Sequence, residues 1–254
     1  MSSAALHEGA TRIRNYGLFA IVLLALWVAA IAVFRIPHYL LPSPAQAWSA
    51  LADHAGAVAS AAAFTLGCTM AGIAVSVVIA MGLAVLFTLW PSLDRALTPL
   101  LIIIRAVPVI AVAPLLIMIW GRGQWNTIGI VALLTFFQIM LAAKRGFQAP
   151  GANVIEMMRA LGVGFWPTLI QVRIPFAAPY IFTGLRLAAH SAILSAMFAE
   201  WLSGAPGLGY LMLDAYSQQE FALMWGAIFV STTVAYLFFT LALMLERAVA
   251  ERSA

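Results

Sequence analysis

The chain has 254 residues, 64% of them hydrophobic and only 9% charged, with a mean hydropathy of +1.01. A soluble domain carries about 25% charged residues, so this composition excludes an ordinary soluble domain and implies an integral membrane protein. The formal charge of +4 comes from dispersed basic residues, a pattern that argues against a nucleic-acid partner.

The length accommodates about six spans of about 20 residues, with no room for a separate soluble domain. Residues 1–15 form the N-terminal segment, where Arg12 and Arg14 precede an apolar run. That run exceeds the roughly 7–15 apolar residues of a signal peptide, and no small-x-small cleavage site follows it. It therefore reads as a retained first span, 16–35. Further spans are expected at 62–89, 97–120, 127–143, 176–200 and 221–245, within one transmembrane domain, 16–254. Helices are expected throughout, because the runs lack the alternation of barrel strands and the backbone must satisfy itself within lipid.

The distribution of Lys and Arg sets the orientation. With both termini in the cytoplasm, Arg12, Arg14, Arg95, Lys144, Arg145, Arg159, Arg173, Arg247 and Arg252 fall inside, and only Arg35 and Arg122 fall outside. The loop 146–175 is then cytoplasmic. The segment 36–61 is extracytoplasmic, with a short surface helix expected at 45–54. The segment 201–220 is also outside. Gly204, Pro206, Gly207 and Gly209 interrupt any continuous helix there, and its apolar stretch predicts a short helix dipping into the membrane. In the second span Gly72, Ser76, Ala80 and Ala84 recur every four residues. Such a small-residue face packs helices closely, within one subunit or, alternatively, between subunits.

No catalytic chemistry is legible. Lys144 is the sole lysine and follows Ala143, so the Gly-Lys-Ser/Thr of a phosphate-binding loop is missing. His7, His38, His54 and His190 show no metal-ligand spacing, and the lone Cys68 reads as a small buried hydrophobe. No metal site, catalytic set or cofactor is expected in this chain.

Charges within spans are costly and mark candidate pathways or gates. Arg105 lies in the third span just before Pro108. Arg186 and His190 sit one turn apart on the fifth, and Glu200 closes that span beside the glycine-broken segment of Gly207 and Gly209. These residues are candidates for a substrate pathway. The alternative for each arginine is snorkelling, or pairing with a carboxylate or carbonyl oxygen.

Between the fourth and fifth spans the chain reads EMMRALGVGFWPTLIQVRIP. Gly162 and Gly164 divide two short amphipathic helices. Val154, Ile155, Met158 and Leu161 form an apolar face on the first, with Glu156 and Arg159 opposite. Pro167 suits the first turn of the second, where Phe165, Leu169 and Val172 share a face, and Pro175 precedes the fifth span. A helix–turn–helix of this kind either rests on lipid headgroups or offers its anchors to a groove on a partner. Phe165 and Trp166 at the turn favour the groove.

This stretch resembles the EAA loop of bacterial ABC importer permeases, whose pattern is Glu-Ala-Ala, three residues, Gly, nine residues, then Ile-x-Leu-Pro. Glu156 takes the Glu position, Gly162 the Gly and Pro175 the Pro. Met157 and Met158 replace the paired alanines, Val172 replaces Ile and Ile174 replaces Leu. The motifs LPSP at 41–44, RAVP at 105–108, PYIFTGLRLA at 179–188, AEW at 199–201 and GLGYLM at 207–212 are similar to the sulfonate, taurine and nitrate branch. They are equally similar to the branch for thiamine precursors and riboflavin.

The resemblance implies an all-α membrane protein of six spans with the type I importer permease fold and a cytoplasmic coupling helix. It implies a bacterial inner-membrane location, two permease copies, two ATP-binding subunits that bind ATP and Mg, and an extracytoplasmic solute-binding protein. It assigns ATPase coupling to Glu156, Arg159, Ala160, Leu161, Gly162, Phe165, Trp166 and Pro175. The expected solute is a sulfonate-like anion, or else a vitamin precursor. The alternative reading is a stand-alone secondary transporter or channel.

Overall fold

The computed structural model describes residues 22, 24–37 and 40–253. Segment 1–15 and the first part of the run expected at 16–35 lie outside the described residues. Every regular element described is helical: α1 (Leu24–Phe34), α2 (Pro44–Asp53), α3 (Ala55–Leu89), α4 (Pro91–Ala106), α5 (Val109–Trp120), α6 (Gln124–Gln148), α7 (Ala152–Ala160), α8 (Phe165–Thr168), α9 (Ile174–Ser203), α10 (Leu208–Ser217) and α11 (Phe221–Ser253). Among the described residues four helices are long and apolar enough to cross a membrane, or five if the bent pair α4–α5 is one span.

The chain divides into two compact units. One comprises the described residues up to Val58 together with Met212–Phe229. Its helix α2 falls where the short surface helix was expected. Ser43 begins it with a capping box: the hydroxyl accepts from the Gln46 N–H while the Gln46 side chain accepts from the Ser43 N–H, with Pro44 in the first turn. Leu51 and the Ala47 carbonyl lie so close to Gly226 that a Cβ there would meet them. Trp27 packs on Phe229 and Trp225 with ring centroids 5.0 and 5.9 Å apart, and the Trp225 indole N–H donates to the Leu40 carbonyl at 3.2 Å.

The other unit, Ala59–Leu211 with Val230–Ala254, is built on close approach of α3, α6 and α9. A Cβ on Gly72 of α3 would strike Val131 of α6. Gly146 and Gly184 meet Ala177 of α9 and Ala142 of α6 in the same way. Ser76 Oγ donates to the Ala132 carbonyl at 2.9 Å and accepts from Thr135 Oγ1 at 2.9 Å. Ala80 and Ala84 are buried against Ile139, Met140, Ala143 and Phe147. The small-residue face of the second span therefore packs inside the subunit. Helices in lipid gain no hydrophobic attraction for one another, so backbone approach and interhelical hydrogen bonds hold them together. On α4, Asp94 meets Lys144 of α6 at 2.5 Å, and Thr98 Oγ1 donates to Asp94 at 2.7 Å.

Two expected elements differ in form. The stretch 97–120, expected as a single span, is two helices bent by 104°. Val107 is extended (φ −70°, ψ 123°) and Pro108 opens α5. Proline has no N–H to continue the ladder and pushes the residue before it out of the helical region. The second piece of the 154–172 segment, expected as separate from the fifth span, is continuous with it. α8 passes through a π-helical turn, Leu169–Arg173, directly into α9, giving one helix of 39 residues, Phe165–Ser203. In an α-helix the ring of Pro175 would clash with the carbonyl four residues before it. The wider π turn falls on those residues and absorbs the clash.

Candidate functional site

The segment between α6 and α9 is built from helix-stop chemistry. α7 begins after Pro150 and Gly151 and ends at Leu161. Gly162 adopts φ +73°, its N–H donates to Arg159 O at 2.9 Å, and the Val163 N–H donates to Met158 O at 3.0 Å. These paired bonds form a Schellman stop, which favours glycine at the left-handed position. Met158 and Val163, the positions that this stop brings together, are both half-buried.

Gly164 is extended and starts α8, where the Phe165 and Trp166 rings meet edge to face at 5.5 Å. Arg173 fastens the segment to the bundle, its Nη1 donating to Phe147 O at 2.6 Å. That carbonyl lies in the last turn of α6, where a cation suits the helix dipole.

The predicted coupling residues sort by burial. Val154, Ile155 and Met158 are half-buried, as their shared face predicts, and Leu169 is buried. Leu161 was assigned to the same face, yet it is 70% exposed, because it lies beyond the last helical turn, at the cap. Trp166 is 59% exposed, and Met157 is also exposed. Glu156, Arg159, Ala160, Gly162 and Pro175 are exposed, and Phe165 is half-buried. Of the two methionines that replace the family's alanines, Met157 points away from the bundle and Met158 supports the helix stop.

The intramembrane candidates fall into three places. Arg105 and Pro108 lie at the α4–α5 bend, both exposed. Arg186 and His190 both face α11. Arg186 Nε lies 3.0 Å from Glu246 Oε2, with the N–H not aligned on it, so the contact is a charge pair rather than a hydrogen bond. Thr183 Oγ1 donates to the other Glu246 oxygen at 2.7 Å. The His190 ring lies 6.0 Å from Phe239.

Glu200, Gly207 and Gly209 converge at the start of α10. Glu200 has no exposed surface. Its Oε2 accepts from the Gly209 N–H at 2.9 Å and from Thr65 Oγ1 at 3.1 Å, and Thr65 Oγ1 accepts from the Leu208 N–H at 2.9 Å. The first N–H groups of a helix have no partner within it. Here side chains of α9 and α3 supply those partners. A Cβ on Gly207 would overlap the Glu200 carboxylate, and one on Gly209 would overlap the Met197 carbonyl. The glycines therefore permit the close approach, and the arrangement can tether α10.

Sequence reasoning did not find Thr65, Glu246 or Arg173 in these roles. A four-residue rhythm of Gly184, Ala188, Ala192 and Ala196 along α9 was present and marked the helix that α6 packs against. Among the described residues no three His, Cys, Asp or Glu side chains group as metal ligands.

The described residues thus make a helical membrane protein with an exposed, glycine-stopped helix between two apolar helices. The chain matches, over residues 72–253, the family described as binding-protein-dependent transport system inner membrane component, and it belongs to that family. It is 29% identical over 227 residues to a probable ABC transporter permease protein of Haemophilus influenzae, covering 89% of this chain and 93% of that one. It is 30% identical over 234 residues to the formylaminopyrimidine transport permease protein of Halalkalibacterium halodurans, covering 90% and 92%. It is also 30% identical over 230 residues to the riboflavin transport system permease protein of Chloroflexus aurantiacus, covering 89% and 85%. The chain is thus a permease subunit of an ABC importer, as the resemblance of its EAA-type loop implied.

Proposed function

We propose that the chain acts as a pair of permease copies coupled to two ATPase subunits through residues 152–173, and that an extracytoplasmic binding protein delivers the solute. Residues 16–254 form the permease domain with six spans, in a bacterial inner membrane, with both termini cytoplasmic. The chain itself holds no cofactor; ATP and Mg belong to the ATPase. The observation that carries this reading is the exposure of the apolar side chains Met157, Leu161 and Trp166 on and just after a Schellman-stopped helix. Apolar side chains on a short rigid helix suit a groove on a partner. The fusion of α8 with α9 supports the coupling role, since a push on Trp166 reaches the fifth span with no loop between to absorb it.

Two of the three relatives aligned along about 90% of this chain are named for formylaminopyrimidine and riboflavin, and the third is named for no solute. That supports a heteroaromatic vitamin or vitamin precursor over the sulfonate-like anion. The charge pairing of Arg186 with Glu246 also removes half of the electrostatic case for an anion.

The test is co-purification of the ATPase with the full-length permease. Leu161→Asp should reduce the bound ATPase by about tenfold or more, the loss of one interface anchor. Gly162→Val, which forces a β-branched residue into the left-handed region at about 1–2 kcal/mol, should uncouple ATP hydrolysis from uptake or prevent docking while the permease still inserts. Full ATPase binding and coupled uptake in both variants would sink the reading. Uptake by the permease alone on an ion gradient would favour a secondary transporter.

A further inference from the structure

Polar side chains join α11 to α9. One Glu246 oxygen accepts from Thr183 Oγ1 at 2.7 Å, and the other lies 3.0 Å from Arg186 Nε. His190, seven residues after Thr183, meets Phe239, seven residues before Glu246, with ring centroids 6.0 Å apart. Equal steps in opposite directions define one register of two antiparallel helices. Beyond His190 the helices part around a cavity of about 510 Å3, lined by Leu194 and Met197 of α9 and by Ala235 and Tyr236 of α11.

Little of α11 is enclosed at this level. None of the described residues from 232 to 249 is buried, and Leu237, Leu241 and Met244 are more than half exposed. α9, by contrast, is packed on α6 at Gly184, which admits Ala142. Stability does not account for a charge pair here, because an apolar pair of similar volume is often neutral or more stabilising. What the pair supplies is register. Separating one charge from the other is strongly disfavoured, so the helices do not slide past each other there, whereas apolar side chains in lipid impose no such restriction.

The place of the pair also matters. α9 is continuous with α8, which carries the exposed Trp166. Pro179 lies inside α9 and removes one N–H from its ladder. Thr183 and Arg186 follow that weak point, so Glu246 is attached to the membrane part of α9 rather than to its cytoplasmic end.

We propose that Glu246 is a positioning residue of the transport cycle: through Thr183 and Arg186 it holds α11 on α9, so that a displacement of the coupling segment moves both helices as one body. This rests on the importer reading above, which makes the ATPase the source of the push. α11 then needs no contact of its own with the ATPase, and the cavity between the two helices keeps its width through the cycle.

The experiment measures spin-label distances in the assembled importer in nanodiscs, without nucleotide and with ATP and vanadate. Labels stand at Leu187→Cys and Leu241→Cys, both more than half exposed, on a Cys68→Ala background, with labelled copies diluted among unlabelled ones. The separation within one copy should be the same in both states. With Leu187→Cys alone in both copies, the separation between copies should shift with nucleotide. In Arg186→Met/Glu246→Leu that shift should remain and the thermal midpoint should stay at the parent value, while the separation within one copy should now change with nucleotide. Should this variant fail to assemble, Glu246→Gln keeps the Thr183 bond and loses the attraction to Arg186, and its distances within one copy should broaden. A separation within one copy that changes with nucleotide in the parent would overturn the single body. One that stays constant and narrow in the variant would overturn the role of Glu246. A lowered midpoint would make the pair a structural contact and overturn the positioning role. Absence of any shift between copies would also overturn the proposal, since α9 would carry no displacement. Co-purification of the ATPase with the parent is read first, so failure of the importer reading is distinguishable.

Discussion

Glu200 and Arg105 are both ionisable side chains in apolar helices. Glu200 has no exposed surface and accepts hydrogen bonds from Thr65 and from the Gly209 N–H. Arg105 is exposed at the end of α4, beside a bend, and forms no ion pair among the described residues. Burying a charge is unfavourable unless hydrogen bonds or a partner offset it. At Glu200 part of that offset comes from inside the subunit, as the start of α10 and Thr65 on Oε2, while Oε1 is buried without a hydrogen-bond partner. At Arg105 it must come from outside the described fold. The two residues therefore differ in burial and in the partners the fold brings to them: Glu200 is enclosed and half satisfied, and Arg105 stands at the surface.

Four substitutions test that contrast. Gly209→Val should have the largest effect, because its side chain would meet the Met197 main-chain carbonyl, which cannot rotate away. Overpacking of this kind costs about 3 kcal/mol, and a drop in the thermal midpoint of the detergent-solubilised permease would report it. Glu200→Ala should cost about 1–3 kcal/mol, leaving the buried Gly209 N–H without its acceptor, while the Thr65 hydroxyl keeps the Ala61 carbonyl. Arg105→Gln should stay within about 0.5 kcal/mol of the parent, as an exposed position does, while uptake falls. Equal destabilisation by Glu200→Ala and Arg105→Gln would break the comparison. Glu156→Ala should be mildest, weakening ATPase association by about threefold in the manner of an exposed charge contact. Unchanged affinity would make Glu156 a solvated-face residue.

Much of the fold was legible because it depends on short-range pattern. Hydropathy located α3, α6, α9 and α11 to within several residues, and the short helix expected at 45–54 corresponds to α2. The two glycines after Leu161 marked the break in the loop. The course after that break was not legible. Pro167 and Pro175 read as two separate helix starts, yet a π turn carried the helix through them. Pro108 lay within a stretch read as one span, and whether a proline kinks a helix or separates two depends on what packs around the bend. At the candidate site, Arg186 and His190 were placed on one face by spacing alone. The partner carboxylate Glu246 sits on another helix and carried no local signal.

By itself the sequence determined that the chain lives in a membrane as a set of helices, and that a glycine-stopped amphipathic segment stands between them. These follow from composition, from turn chemistry and from a period of 3.6 residues, all properties of a single segment in its solvent. Only the tertiary structure decided which polar groups are satisfied within the protein and which remain open. Thr65 and Glu200 are 135 residues apart in the chain. Their meeting is fixed by how closely α3 and α9 pack, and that depends on small residues spread along several helices at once.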